Sequence, residues 1–374
     1  MPPDAPPADA RPLRLTLLTT FGEQCGIATY SEPLAEGLSH HGVEVSVLAP
    51  KLRESDSPRG PQPTRVWRRS RAGLAAAWQT FRQIQAQRAD VVHVQVTLGI
   101  VSPAFLLGIA RLCRRARISL FATLHEAGGG SALRRFQFAR ARFALRGAEL
   151  IVHEPDPSVP GAHVVPHGIA EIPYRPRDEA RRELGLSPSA LVMAHFGFIH
   201  PDKGIEEVLR VVAQLRQSRF PNLEYRVCGG TFANVTSRAH LAHLQALAAS
   251  LGLGDAARIT GEFAAEERVT LEMQAADLVV LNYLTGNRQG ASGAAHRALS
   301  AGSALAVSGA PIFDSLREAA HTLTGPLQIE LEALLDSPTA RAAISARAVA
   351  FREARSWRRV AGAHAELYRR ALQP

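Results

Sequence analysis

Short runs of β-branched residues and leucine alternate along the whole chain with longer segments whose apolar residues recur at spacings of three and four. That alternation is the pattern of parallel sheets joined by helical crossovers, and it predicts an α/β protein. In the first half the expected strands are 14–20, 43–48, 91–96, 118–124 and 150–152, with helices near 31–40, 72–87, 103–115 and 132–146. Pro33 stands either in the opening turn of the first helix or at a kink within it. A stretch rich in proline and charge, 172–190, then interrupts the pattern, which begins afresh at 191–196. Helices at 205–216, 240–251, 266–276 and 291–301 follow, interleaved with strands at 224–228, 258–260, 278–281 and 304–308. The last segment opens on Ser356, a good N-cap, and predicts a terminal helix over 356–374.

The predicted organisation is therefore a disordered leader over 1–12, a first doubly wound domain over 13–180, a second over 181–355, and the terminal helix. In such sheets ligands sit beyond the carboxyl ends of the strands, so two Rossmann-like domains facing each other line a cleft with loops from both.

Composition narrows the class. A chain of 374 residues buries roughly three-quarters of its unfolded surface and needs neither disulfides nor metals to hold a core. Its three cysteines, Cys25, Cys113 and Cys228, form no CxxC pair, which fits a reducing cytoplasm and no zinc module. The Pro- and Ala-rich opening is not a secretory signal, and the longest apolar stretch, 98–112, falls short of the roughly 20 residues a spanning helix needs. The net charge of +9 is unevenly placed: residues 101–147 hold nine arginines against the single Glu126. In that segment Phe136, Phe138 and Phe143 interleave with arginines, a pattern compatible with peripheral contact at an anionic membrane such as the inner face of the plasma membrane. The alternative is a solvated arginine-rich face. Nucleic acid is not an expected partner, because aromatic content is 6% and no zinc-finger, RRM or basic-zipper pattern is present.

Several loops carry candidate chemistry. The first strand leads into FGEQCGIATY, where Gly22 and Gly26 let a backbone approach a ligand at a helix N-terminus or, alternatively, satisfy a tight βα turn. In HFGFIHPDKGIEEVL, Lys203 and the following helix N-terminus stand where a phosphate could sit. The chain has 41 arginines and only two lysines, so a lysine in this turn is a departure from its habit, and a compact ammonium suits a phosphate. Gln289, Gly290, Ala291, Ser292 and Gly293 form a small-residue turn before a helix, able to offer N–H groups and one amide to a diphosphate or a sugar hydroxyl. His125 follows a predicted strand beside Glu126 and the Gly128–Gly130 run, and would point into the cleft or cap the strand. His240 and His243, one turn apart on a polar helix, read as solvated. No Walker A, HExxH or paired-carboxylate signature is present, which excludes P-loop, zincin and ordinary glycosidase chemistry.

These segments, in this order, resemble glycosyltransferase family 4, the retaining GT-B enzymes that use nucleotide-sugar donors. CGIATY, DVVHVQ, TLHE, VVPHGI, GFIHPDKGIEE, AADLVVLNY and QGASGAAHRALSAG are each similar to a family block. The resemblance implies an acceptor-side first domain, a donor-binding second domain, and a terminal helix that crosses back to the first. It implies that Gly26 lies near the donor diphosphate, His125 near the transferred sugar, Lys203 on the phosphates, and the Gln289–Gly293 turn around sugar and diphosphate. His125 and Lys203 would then be the catalytic pair, with UDP- or GDP-sugar as co-substrate, a saccharide, lipid-linked or natural-product acceptor, and no bound metal.

The sequence departs from that family at three positions. The family's motif of two glutamates separated by seven residues falls on Gln289, which keeps hydrogen bonding without charge, and on Arg297, which cannot accept hydrogen bonds from ribose hydroxyls. The arginine that precedes the family lysine by five residues is replaced by Phe198. These changes leave two alternatives beside transfer: a GT-B protein acting as a non-catalytic partner, and a nucleotide-sugar epimerase.

Overall fold

The computed structural model describes residues 11–23, 25–52, 58–69, 72–125, 132–231, 235–284 and 292–373. The chain divides into two compact units, one formed by residues up to Gly168 together with those from Arg355 onward, the other by Ile169–Ala354.

The first unit is built on strands β1 Leu13–Leu18, β2 Val43–Pro50, β3 Thr64–Trp67, β4 Val91–Val96, β5 Ser119–Leu124, β6 Glu149–Val152 and β7 His163–Val164. They form one parallel sheet in the order β3-β2-β1-β4-β5-β6-β7, so the direction of winding reverses between β1 and β4. β3 and β7 have no counterpart in the predicted pattern: they are short edge strands, with only Trp67 of β3 buried and neither residue of β7. Helices α1 Gly26–Ser39, α2 Leu74–Ala86, α3 Pro103–Ala116 and α4 Ala132–Ala144 supply the crossovers. Helices α2, α3 and α4 cover one face, where Phe81, Phe105, Ile109 and Phe138 pack on β4 and β5. The terminal helix Trp357–Ala371 joins α1 on the other face, with Tyr30, Leu34 and Leu38 packed against Ala361, Ala365 and Tyr368.

α1 begins at Gly26, five residues before the expected start, and Pro33 lies inside it. An interior proline costs roughly 3 kcal/mol. Burial of Tyr30, Leu34 and Leu38, worth roughly 1.5–3 kcal/mol each, outweighs that. Gly37 is required here, because a Cβ would stand 2.8 Å from the Ala361 Cβ and 3.0 Å from the Trp357 carbonyl oxygen of the terminal helix.

The second unit carries β8 Leu191–Phe196, β9 Leu223–Cys228, β10 Ala257–Ile259, β11 Leu278–Leu281, β12 Leu305–Ser308 and β13 His321–Leu323. Their order is β10-β9-β8-β11-β12-β13, again parallel, with the reversal between β8 and β11. The helices are α5 Arg177–Leu184, α6 Ile205–Ser218, α7 Val235–Ser250, α8 Glu266–Ala275, α9 Gly293–Ser300, α10 Leu327–Asp336 and α11 Pro338–Ala354. β13, α5, α10 and α11 are additions to the predicted pattern.

The unit boundaries correct those read from the sequence. The first lies at 168/169 instead of 180/181, and the second at 354/355 instead of 355/356. The charged stretch at the expected junction is a docked helix: Arg181 of α5 is buried and donates to Asp277 at 2.5 Å, Arg177 donates to the same carboxylate at 2.7 Å, and the Val192 amide adds a third bond at 2.8 Å. Two of its charges, Arg177 and Arg181, thus anchor the helix to the second core, while Asp178, Glu179, Arg182 and Glu183 face solvent. Among the described residues no helix is long and apolar enough to cross a membrane.

Candidate functional site

In a doubly wound sheet the loops at the reversal point diverge and leave a crevice at the carboxyl edge of the strands. In the second unit that edge is formed by the loops after β8, β9, β11 and β12. Gly197, at φ +137°, follows β8, and Gly229 follows β9; a Cβ on Gly229 would lie 1.7 Å from the Gly197 carbonyl oxygen. The Lys203 turn is latched to the end of β11: the Leu284 amide donates to the Asp202 carbonyl at 2.9 Å, and a Cβ on Gly204 would meet the Asn282 carbonyl oxygen at 1.9 Å. Glycine at 204 and 229 is thus a steric requirement of two loops held against their neighbours.

Lys203 is nearly buried, with 8% of its surface exposed. Its Nζ stands 3.7 Å from the centroid of the Tyr283 ring and 3.6 Å from Asp202 Oδ2. Tyr283 is held in turn by Ser308, whose hydroxyl donates to the Tyr283 carbonyl at 2.7 Å, and by its stack on Phe313. Asp202 also pairs with His200 at 2.6 Å. Beside this ammonium lies His195, fully buried in β8, whose Nδ1–H donates to the Val280 carbonyl at 3.2 Å. Its Nε2 has no partner among the described residues. Burial, together with the Lys203 charge, pushes the imidazole down to about 4, so His195 is a neutral acceptor at working pH.

The two helix N-termini at this edge differ electrically. α6 carries Glu206 and Glu207 in its first turn, and both are engaged by side chains: Glu206 accepts from Arg210 at 2.8 Å and pairs with His243 at 2.9 Å, and Glu207 accepts from the Asn282 amide at 3.4 Å. α9 has no acid in its first turn; the buried Ser292 caps it by accepting from the Ala295 amide at 3.3 Å, and Gly293 opens it with nothing within 4 Å of where a Cβ would stand. Gln289, Gly290 and Ala291 lie outside the described residues, as do Glu126 and Gly128–Gly130. Arg297 sits four residues into α9, about 6 Å along its axis from Gly293, and pairs with Glu266 at 2.9 Å. Phe198, partly exposed, packs edge-to-face on the exposed Phe263 at 5.4 Å.

In the first unit, Gly22 at φ +63° is the sterically required glycine: a Cβ there would lie 2.7 Å from the Pro61 carbonyl oxygen. Gly26 is different. It has ordinary φ and nothing within 4 Å of a Cβ, so the fold of this unit does not demand glycine at that position. It opens α1, whose N-cap Cys25 makes no side-chain cap and whose first turn has no acid. Nearby, Glu23 is buried and clasped by Arg69 at 2.5 and 2.6 Å.

His125 follows β5 and is held by a buried polar network that begins on β4. Gln95 Oε1 accepts from His125 Nε2 at 2.6 Å; His125 Nδ1 faces His153 Nε2 at 3.3 Å; His153 Nδ1 reaches the Val165 carbonyl at 3.1 Å. The buried Tyr30 ring packs edge-on against His125 at 4.7 Å. Farther along β4, His93 meets Tyr368 of the terminal helix at 2.6 Å and Thr123 at 2.7 Å. Burial, then the neighbouring His153 and His364 rings, holds His125 well below the ordinary imidazole range. A neutral imidazole with both nitrogens engaged results, unsuited to standing as a fixed cation.

Phe198 and Lys203 lie in the loop after β8, Ser292 and Gly293 at the start of α9, Gly26 at the start of α1 and His125 directly after β5, whereas His195, Tyr283, Gln95 and His153 are not among the expected residues. The signal was present: His93, Gln95 and His195 are polar residues inside strands otherwise buried almost throughout, and a buried polar group must find a partner. His243 pairs with Glu206 at 2.9 Å, instead of being merely solvated. Among the described residues no group of three or more His, Cys, Asp or Glu side chains could hold a metal ion.

The comparisons with known proteins divide along the same two units. The family described as "Glycosyl transferase 4-like domain" matches residues 25–153, and "Glycosyl transferases group 1" matches residues 176–310. The chain is 32% identical over 212 residues to a D-inositol 3-phosphate glycosyltransferase of Thermobispora bispora, covering 53% of this chain and 47% of that protein. It is 38% identical over 98 residues to the protein of the same name from Stackebrandtia nassauensis, covering 25% and 22%. The chain thus spans less than half the length of these relatives. Among solved structures, a sucrose-phosphate synthase from Thermosynechococcus elongatus aligns with a TM-score of 0.71 at 16% identity over 96% of this chain and 99% of that one. A glycosyltransferase from Rickettsia africae aligns with a TM-score of 0.72 at 10% identity over 97% and 100%.

Proposed function

The chain belongs to glycosyltransferase family 4, of GT-B type, and from that premise we propose that it moves a hexose from a UDP- or GDP-sugar to a saccharide, lipid-linked or natural-product acceptor, with retention at the anomeric carbon. The observation that carries this reading is the nearly buried Lys203 ammonium beside the uncharged His195, at the reversal point of the second sheet. Breaking a bond between an anomeric carbon and a nucleoside diphosphate needs positive charge and aligned donors where negative charge develops on the leaving oxygens. Lys203 supplies the charge and the acid-free N-terminus of α9, with Ser292 and Gly293, supplies the amides. In this reading a phosphate oxygen takes the acceptor proton as the acceptor attacks from the departing side, and neither a protein nucleophile nor a metal ion has a part. In the same reading Gly26 leaves room for the diphosphate, and His125, whose two ring nitrogens are held by Gln95 and His153, lies near the transferred sugar.

Phe198 packs on Phe263 and Arg297 pairs with Glu266, so neither side chain supplies the charged donor contact that the family pattern gives its position. The same pairs are what would favour a non-catalytic partner. Free cysteines at 25, 113 and 228 accord with a cytoplasmic setting. Titration with UDP-glucose and GDP-glucose, with products resolved by chromatography and anomeric configuration read by NMR, tests the proposal. Saturable binding with transfer or slow hydrolysis at retained configuration supports it. No binding to either donor supports the non-catalytic alternative, and an epimerised sugar supports the third reading.

A further inference from the structure

The two units differ sharply in charge. The first holds 25 Arg and Lys against 14 Asp and Glu, net +11, whereas the second holds 18 against 20, net −2. Within the first, residues 57–148 contain 16 arginines and only two acids, Asp90 and Glu126. Helices α2, α3 and α4 lie side by side as one layer on the sheet. Their sequences hold no Asp or Glu at all.

The outward side of this layer is also apolar in an unusual way. α4 buries Phe138, Ala141 and Ala144 and turns outward a stripe of Phe136, Arg140 and Phe143, at spacings of four and three. Phe136 and Phe143 are 60% and 59% exposed, and Trp78 of α2 is 54% exposed. Each ring lies beneath a guanidinium: Arg140 over Phe136 at 5.8 Å, Arg146 over Phe143 at 4.3 Å, and Arg82 over Trp78 at 5.1 Å.

We propose that the outer face of the α2–α3–α4 layer docks on the surface of an anionic lipid bilayer, with Trp78, Phe136 and Phe143 entering the headgroup boundary and the surrounding arginines pairing with lipid phosphates. Charge complementarity selects an anionic partner. The exposed rings select a bilayer over a nucleic acid, since a polyanion offers no apolar layer to receive three aromatic side chains carried on the backs of helices.

The full chain is mixed with vesicles of phosphatidylcholine alone and of phosphatidylcholine with phosphatidylglycerol, then floated, and Trp78 emission is recorded; Trp67 is buried and Trp357 half-buried, so the change reports chiefly on position 78. Expected are binding to the anionic vesicles only, a blue shift of emission, and release as salt shortens the screening length from about 30 Å at 0.01 M to about 8 Å at 0.15 M. Arg135→Gln/Arg140→Gln/Arg146→Gln should weaken binding about 100-fold, at about fivefold per arginine. Phe136→Ser/Phe143→Ser, both on exposed positions and checked for an unchanged melting temperature, should abolish stable flotation while leaving weak binding at low salt. Equal recovery on neutral vesicles would overturn the proposal. So would unaltered flotation of the double phenylalanine variant, or duplex DNA binding as tightly as the vesicles and indifferent to that variant.

Discussion

Replacing Lys203 by methionine separates its two roles, because methionine keeps the apolar stem and removes only the charge. In the folded protein the ammonium lies 3.7 Å over the Tyr283 ring, a cation–π contact in a desolvated position worth roughly 2 kcal/mol. The paired Asp202 is partly exposed, so the 3.6 Å ion pair adds little. The variant should therefore remain folded, with a melting temperature lower by several degrees. A charge-assisted hydrogen bond to a diphosphate contributes roughly 1.5–3 kcal/mol, so the affinity for a nucleotide diphosphate should fall about 10- to 150-fold. Isothermal titration with UDP and GDP, beside a thermal melt, measures both. A third readout is internal: Lys203 helps to hold His195 down at about 4, so its removal should raise the His195 titration seen by NMR. A folded variant with unchanged nucleotide affinity would refute the assignment of Lys203 to the phosphates, whatever happens to the melt.

Three further outcomes follow from the geometry. Gly26→Ala meets no steric obstacle and replaces a poor helix former, so its melting temperature should equal or slightly exceed that of the parent while transfer falls; loss of stability would show that Gly26 serves the fold. Asp277→Asn removes the buried partner of Arg181 and should cost roughly 3–5 kcal/mol in a denaturant titration, and a loss below about 1 kcal/mol would show that α5 is held mainly by packing. His195 and His364 are buried neutral, with folded values of about 4 against an ordinary 6.5, so the unfolded chain binds more protons between those limits. Stability should be fully present above pH 6.5 and decline as pH falls toward 4, and a flat melting temperature over that window would contradict the buried neutral state.

The regular elements were legible because their information is local. Strands such as 91–96 and 278–281 are buried throughout and mostly β-branched or leucine, and the Ser356 start of the terminal helix is a capping signal that the structure uses directly, with Ser356 accepting from the Arg359 amide at 3.4 Å. The failures share a cause as well. α5 reads as a linker because its charge has no meaning until Asp277, nearly one hundred residues later, is beside it. Pro33 reads as a limit on α1 until the terminal helix covers the face that Tyr30, Leu34 and Leu38 present.

The same division runs through the site. Residue type and order already singled out Lys203 against 41 arginines, His125 after a strand, and small residues ahead of a helix, since each is a local choice of chemistry at a turn. Only the folded chain decided which of these groups are charged, which are neutral and which are engaged. Burial and distant neighbours make His195 and His125 uncharged, and Glu266 claims Arg297. Pattern along a chain carries periodicity and composition, whereas desolvation and pairing depend on what is brought within a few ångströms from elsewhere in the sequence.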